Sequence, residues 1–296
     1  MRLSLFLALA LALPVVAVAQ PRFVTTSSDL YSIAKLIGGS EIQLENILPS
    51  GQEPHSLPLR PSVIQKIKQA QWLVTIGLDH EPWLPDAISS SGNQRVAPGA
   101  PGYVDCSRGV TLVDVPSGGV DRSRGDLHVF GNTHYWLDPE NIKLMSVTVT
   151  KALSDAVPAK RDEFRNRERA FLKDLAAREA KWRQALAPLS GTKVISYHAS
   201  FPYLAQFAGF SIEDTVEVKP GIEPTPSHLT QLIDEMKRDH VKIIVMEPWY
   251  NRGRAEGVAS QAGAKVVVIQ AQTPENVNIL DNYDGIVKSL VDGIKG

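Results

Sequence analysis

The 296-residue sequence has one cysteine, Cys106. A lone thiol cannot close an intrachain disulfide, and it excludes a thiolate metal cluster within one chain; a small loop or core position is its expected place. Charge imbalance is also missing. With 31 Lys and Arg against 32 Asp and Glu, the formal charge is −1, so neither nucleic acid nor an acidic membrane surface is an expected partner. No nucleophile elbow G-x-S-x-G surrounds Ser196-Tyr197-His198. There is no phosphate loop either: Gly38-Gly39 and Gly118-Gly119 read as helix-end or turn glycines.

Long apolar runs are confined to the start of the chain. MRLSLFLALALALPVVAVAQ combines one basic residue, an apolar stretch and Ala17-Val18-Ala19, a small-x-small cleavage site. It reads as a secretory leader cut before Gln20, and it is shorter than the ~20 apolar residues that span a bilayer. A soluble protein outside the cytoplasm is expected, and with no cysteine after the cleavage site, no lipid anchor.

Beyond the leader, Val- and Ile-rich runs alternate with amphipathic stretches. Phe23–Thr26, Ile42–Leu48, Trp72–Ile76, Lys193–Tyr197, Val241–Met246 and Lys265–Ile269 read as strands, and Leu30–Ile37, Pro61–Gln69, Pro226–Lys237 and Arg254–Ala262 have helical spacing. Such alternation implies βαβ units and parallel sheets. From Pro139 to Leu189 no strand signal occurs, and Pro158 divides the region into two helical pieces. In the second, Phe164, Phe171, Leu172, Leu175, Trp182 and Leu186 share one stripe. A helix of this length is a rod of about 40 Å, long enough to join two lobes.

An internal repeat supports two lobes. VTTSSDLYSIAKLIGGSEIQLENILPSGQEPHSLPLRPSVIQKIKQAQWLVTIG and VISYHASFPYLAQFAGFSIEDTVEVKPGIEPTPSHLTQLIDEMKRDHVKIIVME share the same order of strand, helix, strand, loop, helix, strand. Gly38 aligns with Gly209, Gly51 with Gly221, and Glu53-Pro54 with Glu223-Pro224. The expected division is a leader (1–19), a first α/β lobe (20–157), a linking helix (158–189) and a second α/β lobe (190–296).

Ligands of open parallel sheets collect at the carboxyl ends of the strands, where the pattern puts His55, His134 and His198. Three imidazoles meeting in a cleft suit Zn2+, although the spacing alone also fits three ordinary surface or capping histidines. His228 and His240 are expected to face solvent, His80 in GLDHEPW is ambiguous, and His128 reads as a solvated loop residue, with delivery of metal from a mobile loop as its alternative role. Glu217, Glu223 and Glu247 fall near strand ends, so a zinc-dependent hydrolase with a carboxylate base is open on the chemistry.

Five segments in order resemble the metal-specific, zinc and manganese, solute-binding proteins of bacterial ABC transporters: GQEPHSLPLRPSVIQKIKQAQWLVTIGLDHEPWL, THYWLDPENIKLM, KVISYHASFPYLAQFAGF, PGIEPTPSHLTQLIDEMKRDHVKIIVMEPWY and GAKVVVI. The resemblance covers nearly the whole chain after the leader. It implies two α/β lobes joined by a rigid helix, one metal ion between them, and a monomer that docks on a membrane permease. It also implies His55, His134 and His198 as ligands, with Zn2+ favoured over Mn2+ or Fe2+ by a histidine in the third position. Two features of the family pattern are missing. The late aspartate is absent from IQAQTPENVN, leaving water, an open position or Glu247 as the fourth ligand; Glu247 has as its alternative role a hydrogen bond to a ligand histidine. The His-rich loop is reduced to Asp126 and His128.

Overall fold

The computed structural model describes residues 19–115, 130–218 and 221–295. The leader up to residue 18, Gly118-Gly119, Asp126 and His128 lie outside them. Among the described residues no helix is long and apolar enough to cross a membrane.

The first half runs β1 (Arg22–Thr25), α1 (Ser28–Gly38), β2 (Gln43–Asn46), α2 (Pro61–Gln69), β3 (Trp72–Thr75), α3 (Leu84–Ser91) and β4 (Tyr103–Asp105). The long helices α4 (Pro139–Ala156) and α5 (Arg161–Leu186) come next. The second half runs β5 (Lys193–Ser196), α6 (Pro202–Ala208), β6 (Ser211–Thr215), α7 (Pro226–Arg238), β7 (Ile243–Met246), α8 (Arg252–Ala262) and β8 (Lys265–Val268), and α9 (Ile279–Lys295) closes the chain. The two parallel sheets have matching orders, β2-β1-β3-β4 and β6-β5-β7-β8. The repeat read from the sequence is therefore a repeat of topology. Its glycine alignment shifts by one residue: Gly39, at φ +56°, ends α1 where Gly209, at φ +80°, ends α6, while Gly38 is still helical. Each closes its helix in a positive-φ conformation that a side chain would strain.

Sequence periodicity marks neither α3 nor β4. The first is eight residues opening on Leu84-Pro85 and ending in three serines, and the second is three residues; both fall short of a period that can be counted.

Between the halves, α5 acts as a strut. Phe164, Phe171, Leu175, Trp182 and Leu186 are buried along one stripe, with Leu172 half-buried beside them. At its start, Arg167 Nη1 donates to the carbonyls of Ile37 and Gly38 at the end of α1, at 3.0 and 2.9 Å. Toward its end, the Trp182 ring lies 4.4 Å from that of Tyr283 on α9, and its Nε1 donates to Asp284 at 2.6 Å. One apolar cluster runs from Phe23 and Leu30 through α4 and α5 to Tyr283 and Leu290. The lobes thus share a core instead of flexing on a bare linker.

Polar clasps reinforce that core. Asp29 on α1 accepts from the Thr273 backbone N–H at 3.0 Å and from its hydroxyl at 2.7 Å, across the interface. Burial pushes the Asp29 carboxyl up to about 6 despite both bonds. Nearby, Ile279 N–H donates to Ser32 at 2.8 Å, and the Tyr283 hydroxyl donates to the Leu137 carbonyl at 2.8 Å.

Candidate metal centre

The carboxyl ends of the two sheets face each other, and the loops leaving them bring a group of buried histidines together. His55 comes from the loop after β2. Its backbone N–H donates to Glu53 at 3.0 Å, and its ring Nδ1 lies 2.9 Å from the His80 carbonyl. A carbonyl only accepts, so Nδ1 carries the proton and Nε2 the lone pair. Trp83 Nε1 donates to the Pro54 carbonyl at 2.9 Å, tying this loop to the turn after β3.

His134 sits at the head of a short 3-10 turn, Tyr135–Leu137, just before α4. Asp138 caps α4 by accepting from Glu140 N–H at 2.9 Å, and Pro139 occupies the first turn. The Tyr135 hydroxyl donates to the Ile76 carbonyl at 2.7 Å, and Trp136 Nε1 donates to the Ala271 carbonyl in the second half at 2.8 Å. With both flanking rings fixed, His134 cannot turn away from the cleft. Its Nδ1 faces Asn132 Oδ1 at 3.2 Å, and its backbone N–H donates to the same oxygen at 3.0 Å.

From the second half, His198 lies just past β5 and is 2 % exposed. Its Nδ1 donates to Glu217 at 3.1 Å, while among the described residues its Nε2 has no hydrogen-bond partner. Burial alone would lower the His198 pKa; the Glu217 hydrogen bond, with the charges of Glu247 and Glu53 behind it, raises it. Its ring stands 5.7 Å from that of His55 and 5.6 Å from that of His134. Tyr250 packs against it, ring centroids 5.6 Å apart, and donates its hydroxyl to Glu53 at 2.7 Å.

Glu247, at the end of β7, is 1 % exposed, and among the described residues neither carboxylate oxygen makes a hydrogen bond of normal geometry. Its carboxyl is pushed up to about 7 by burial, against the pull of His198 and of the adjacent Ser200 hydroxyl. Two orphaned oxygens on a buried acid are expensive. A cation beside them would remove that cost.

His80, ambiguous in the sequence, belongs to the group. The ligand nitrogens of His55, His80 and His134 all lie within 4.8 Å of one another, and all three residues are buried. His228 is half-buried, not solvent-facing, with Nε2 2.9 Å from the Thr215 carbonyl; His240 is exposed as expected.

Residues 23–296 match the family described as zinc-uptake complex component A, periplasmic (ZnuA). The chain belongs to that family. Among individual relatives, the high-affinity zinc uptake system protein ZnuA of Bacillus subtilis is 24% identical over 278 residues, covering 92% of this chain and 86% of that protein. The zinc-binding lipoprotein AdcA of Streptococcus pneumoniae is 22% identical over 307 residues, covering 99% of this chain. The match takes in only 60% of AdcA's own length. A crystal structure of ZnuA superposes with a TM-score of 0.77 at 22% identity, over 93% of this chain and 99% of that one. The Pseudomonas aeruginosa solute-binding protein FpvC in complex with Mn2+ gives 0.75 at 23% identity, over 93% and 97%. At such identities the structures establish the shared fold of two parallel-sheet lobes and a joining helix.

The late segment without an aspartate makes a different contact. In IQAQTPENVN, Gln272 accepts from Gly51 N–H through Oε1 and donates through Nε2 to the Gln52 carbonyl, each at 2.9 Å. A neutral amide here clasps the second lobe onto the loop that carries His55. Glu217 also has a specific task, holding the His198 ring by Nδ1. For a metal ion held by His198, Glu217→Gln is expected to weaken binding roughly 10- to 100-fold, the usual effect of losing an outer partner of a ligand histidine, with little change in thermal unfolding. Chelator competition measures it, and an unchanged affinity would show that packing alone orients the ring.

Proposed function

We propose that this protein binds a divalent transition metal, Zn2+ before Mn2+ or Fe2+, in the cleft between its lobes and delivers it to an ABC-type importer. His55 and His134 from the first lobe, and His198 and Glu247 from the second, are its proposed ligands. The observation that carries this is the convergence of buried imidazoles from both lobes, with Nδ1 of His55, His134 and His198 each set against an oxygen. That arrangement presents the opposite nitrogen to the cleft, the pattern of metal-bound histidines. The named relatives support zinc as cargo, and so does the chemistry: imidazole-rich sets suit Zn2+, whereas Mn2+ prefers harder oxygen donors.

Charge fits as well. Neutral imidazoles leave both positive charges of the ion to be balanced, and Glu53, Glu217 and Glu247 all act on His198. An ion in the cleft would favour the ionised form of Glu247 and reverse the effect of burial. In this proposal the protein is a periplasmic monomer of lobes 20–157 and 190–296 joined by 158–189, its leader removed near Ala19. It is a carrier with no catalytic residue.

Metal analysis tests it. The purified protein, exposed to equal Zn2+ and Mn2+ and dialysed, is expected to keep one zinc per chain and no manganese. Failure to hold zinc at micromolar concentration would end the proposal.

A further inference from the structure

We infer that His80 is a ligand of the same ion, so that the first lobe alone presents a three-imidazole face, His55, His80 and His134, which takes the metal before His198 closes on it. This rests on the metal-binding reading above and adds to it a residue and an order of events.

The geometry is specific. His80 is 1 % exposed, and its ring lies 4.7 Å from that of His55 and 5.3 Å from that of His134, near perpendicular to both. Tetrahedral nitrogens bound at ~2.0 Å stand about 3.3 Å apart, so contraction by on the order of one ångström from the 4.8 Å envelope brings the three to an ion. His80 Nδ1 lies 2.9 Å from the Thr133 hydroxyl. Its ring is thus held from the Nδ1 side, like the other three.

The backbone that delivers His80 is unusual. Gly77, Leu78 and Asp79 have φ of +80°, +57° and +58° in succession. Two non-glycine residues in the left-handed region cost roughly 1 kcal/mol or more each, and they persist because a neighbouring acid holds the turn. Glu81, buried, accepts from Ile76 N–H at 2.9 Å, from Gly77 N–H at 3.2 Å and from the Thr26 hydroxyl. The turn so held sets the His80 ring against those of His55 and His134.

Placement sets the order of events. His55, His80 and His134 all come from the chain before α5, and the compact nitrogen group contains no second-lobe residue. The ion therefore has a complete face to land on without any lobe movement, and His198 supplies the closing nitrogen.

Zinc K-edge X-ray absorption counts the imidazoles, and chelator competition gives the affinity, on the full-length protein and its variants. Wild type is expected to show four imidazoles, with the Glu247 carboxylate as an oxygen donor beside them. His80→Ala should show three and bind Zn2+ about a hundredfold more weakly, and His80→Gln, which can still bond Thr133, should do the same. His198→Ala should still bind one zinc, with three imidazoles. If both His80 variants keep the wild-type imidazole count and affinity, or if folded His198→Ala binds no zinc, the inference is overturned while the metal-binding reading stands. If wild type itself takes no zinc, that reading fails first.

Discussion

Replacing His55 and His134 together with alanine is expected to weaken zinc binding by roughly four to five orders of magnitude while leaving the fold intact. Structural Zn2+ sites in small peptides are worth about 10–16 kcal/mol over four ligands, or about 2.5–4 kcal/mol each. Losing two such ligands, with water taking their places, costs on the order of 5–7 kcal/mol, or roughly four to five decades at about 1.4 kcal/mol each. Both rings sit at the cleft end of the first lobe, in its loops and not in its sheet or long helices, so unfolding should move little. His228→Ala is the control: that ring bonds the Thr215 carbonyl and belongs to no metal-competent group among the described residues. Equal zinc retention by the double variant and the control would remove these histidines from the site.

The reason this pair could be picked out from the sequence, and His80 could not, lies in what each is attached to. His55 and His134 stand in loops whose flanking residues are legible: a Pro and Gly loop after a strand, and a Trp-Leu-Asp-Pro helix entrance. The repeat adds contrast, because Thr225, opposite His55, caps α7. His80 depends on three consecutive positive-φ residues, two of them Leu78 and Asp79, residue types that give no warning of a left-handed turn. Only Glu81, an acid next to an apolar strand and needed to satisfy the backbone N–H groups of that turn, hints at it. Likewise the strut helix was legible from its stripe, but that its stripe joins both lobes into one core was not, since α9 supplies much of the second side. Periodicity finds faces; it does not say which distant face covers them.

That shared core bears on transport. Hinge closure requires two bodies whose contacts can be exchanged at low cost. Here the interface is crossed by the Asp29–Thr273 bonds, the Trp136–Ala271 bond and the Gln272 clasp on residues 51 and 52. In the proposed carrier, loading is then a matter of ring and loop adjustment around a site nearly assembled, and release demands a partner that pulls the clasps apart or a change that makes the ligands prefer protons.

Protons should indeed compete strongly. Zinc affinity is expected to fall by on the order of a thousandfold between pH 7.5 and 5.5. A single imidazole at the unperturbed value of about 6.5 costs close to one decade over that interval, because the metal must displace a proton it holds at the lower pH. Each further ligand that must give up a proton multiplies the loss. His198 holds its proton to higher pH than usual, and Glu247, pushed up to about 7, takes up its proton within the same range in the metal-free protein. Glu247→Gln should therefore flatten the profile by about one decade. Metal-free stability runs the other way: the folded pKa of Glu247 is raised above its ordinary 4.5 to about 7, so the stability linked to it is fully present below 4.5 and is lost as pH rises through 7. That loss is on the order of 3 kcal/mol. Thermal unfolding with and without zinc across this range checks both signs at once. The gap between the two curves must widen as pH rises, and a constant gap would mean that no proton leaves when zinc binds.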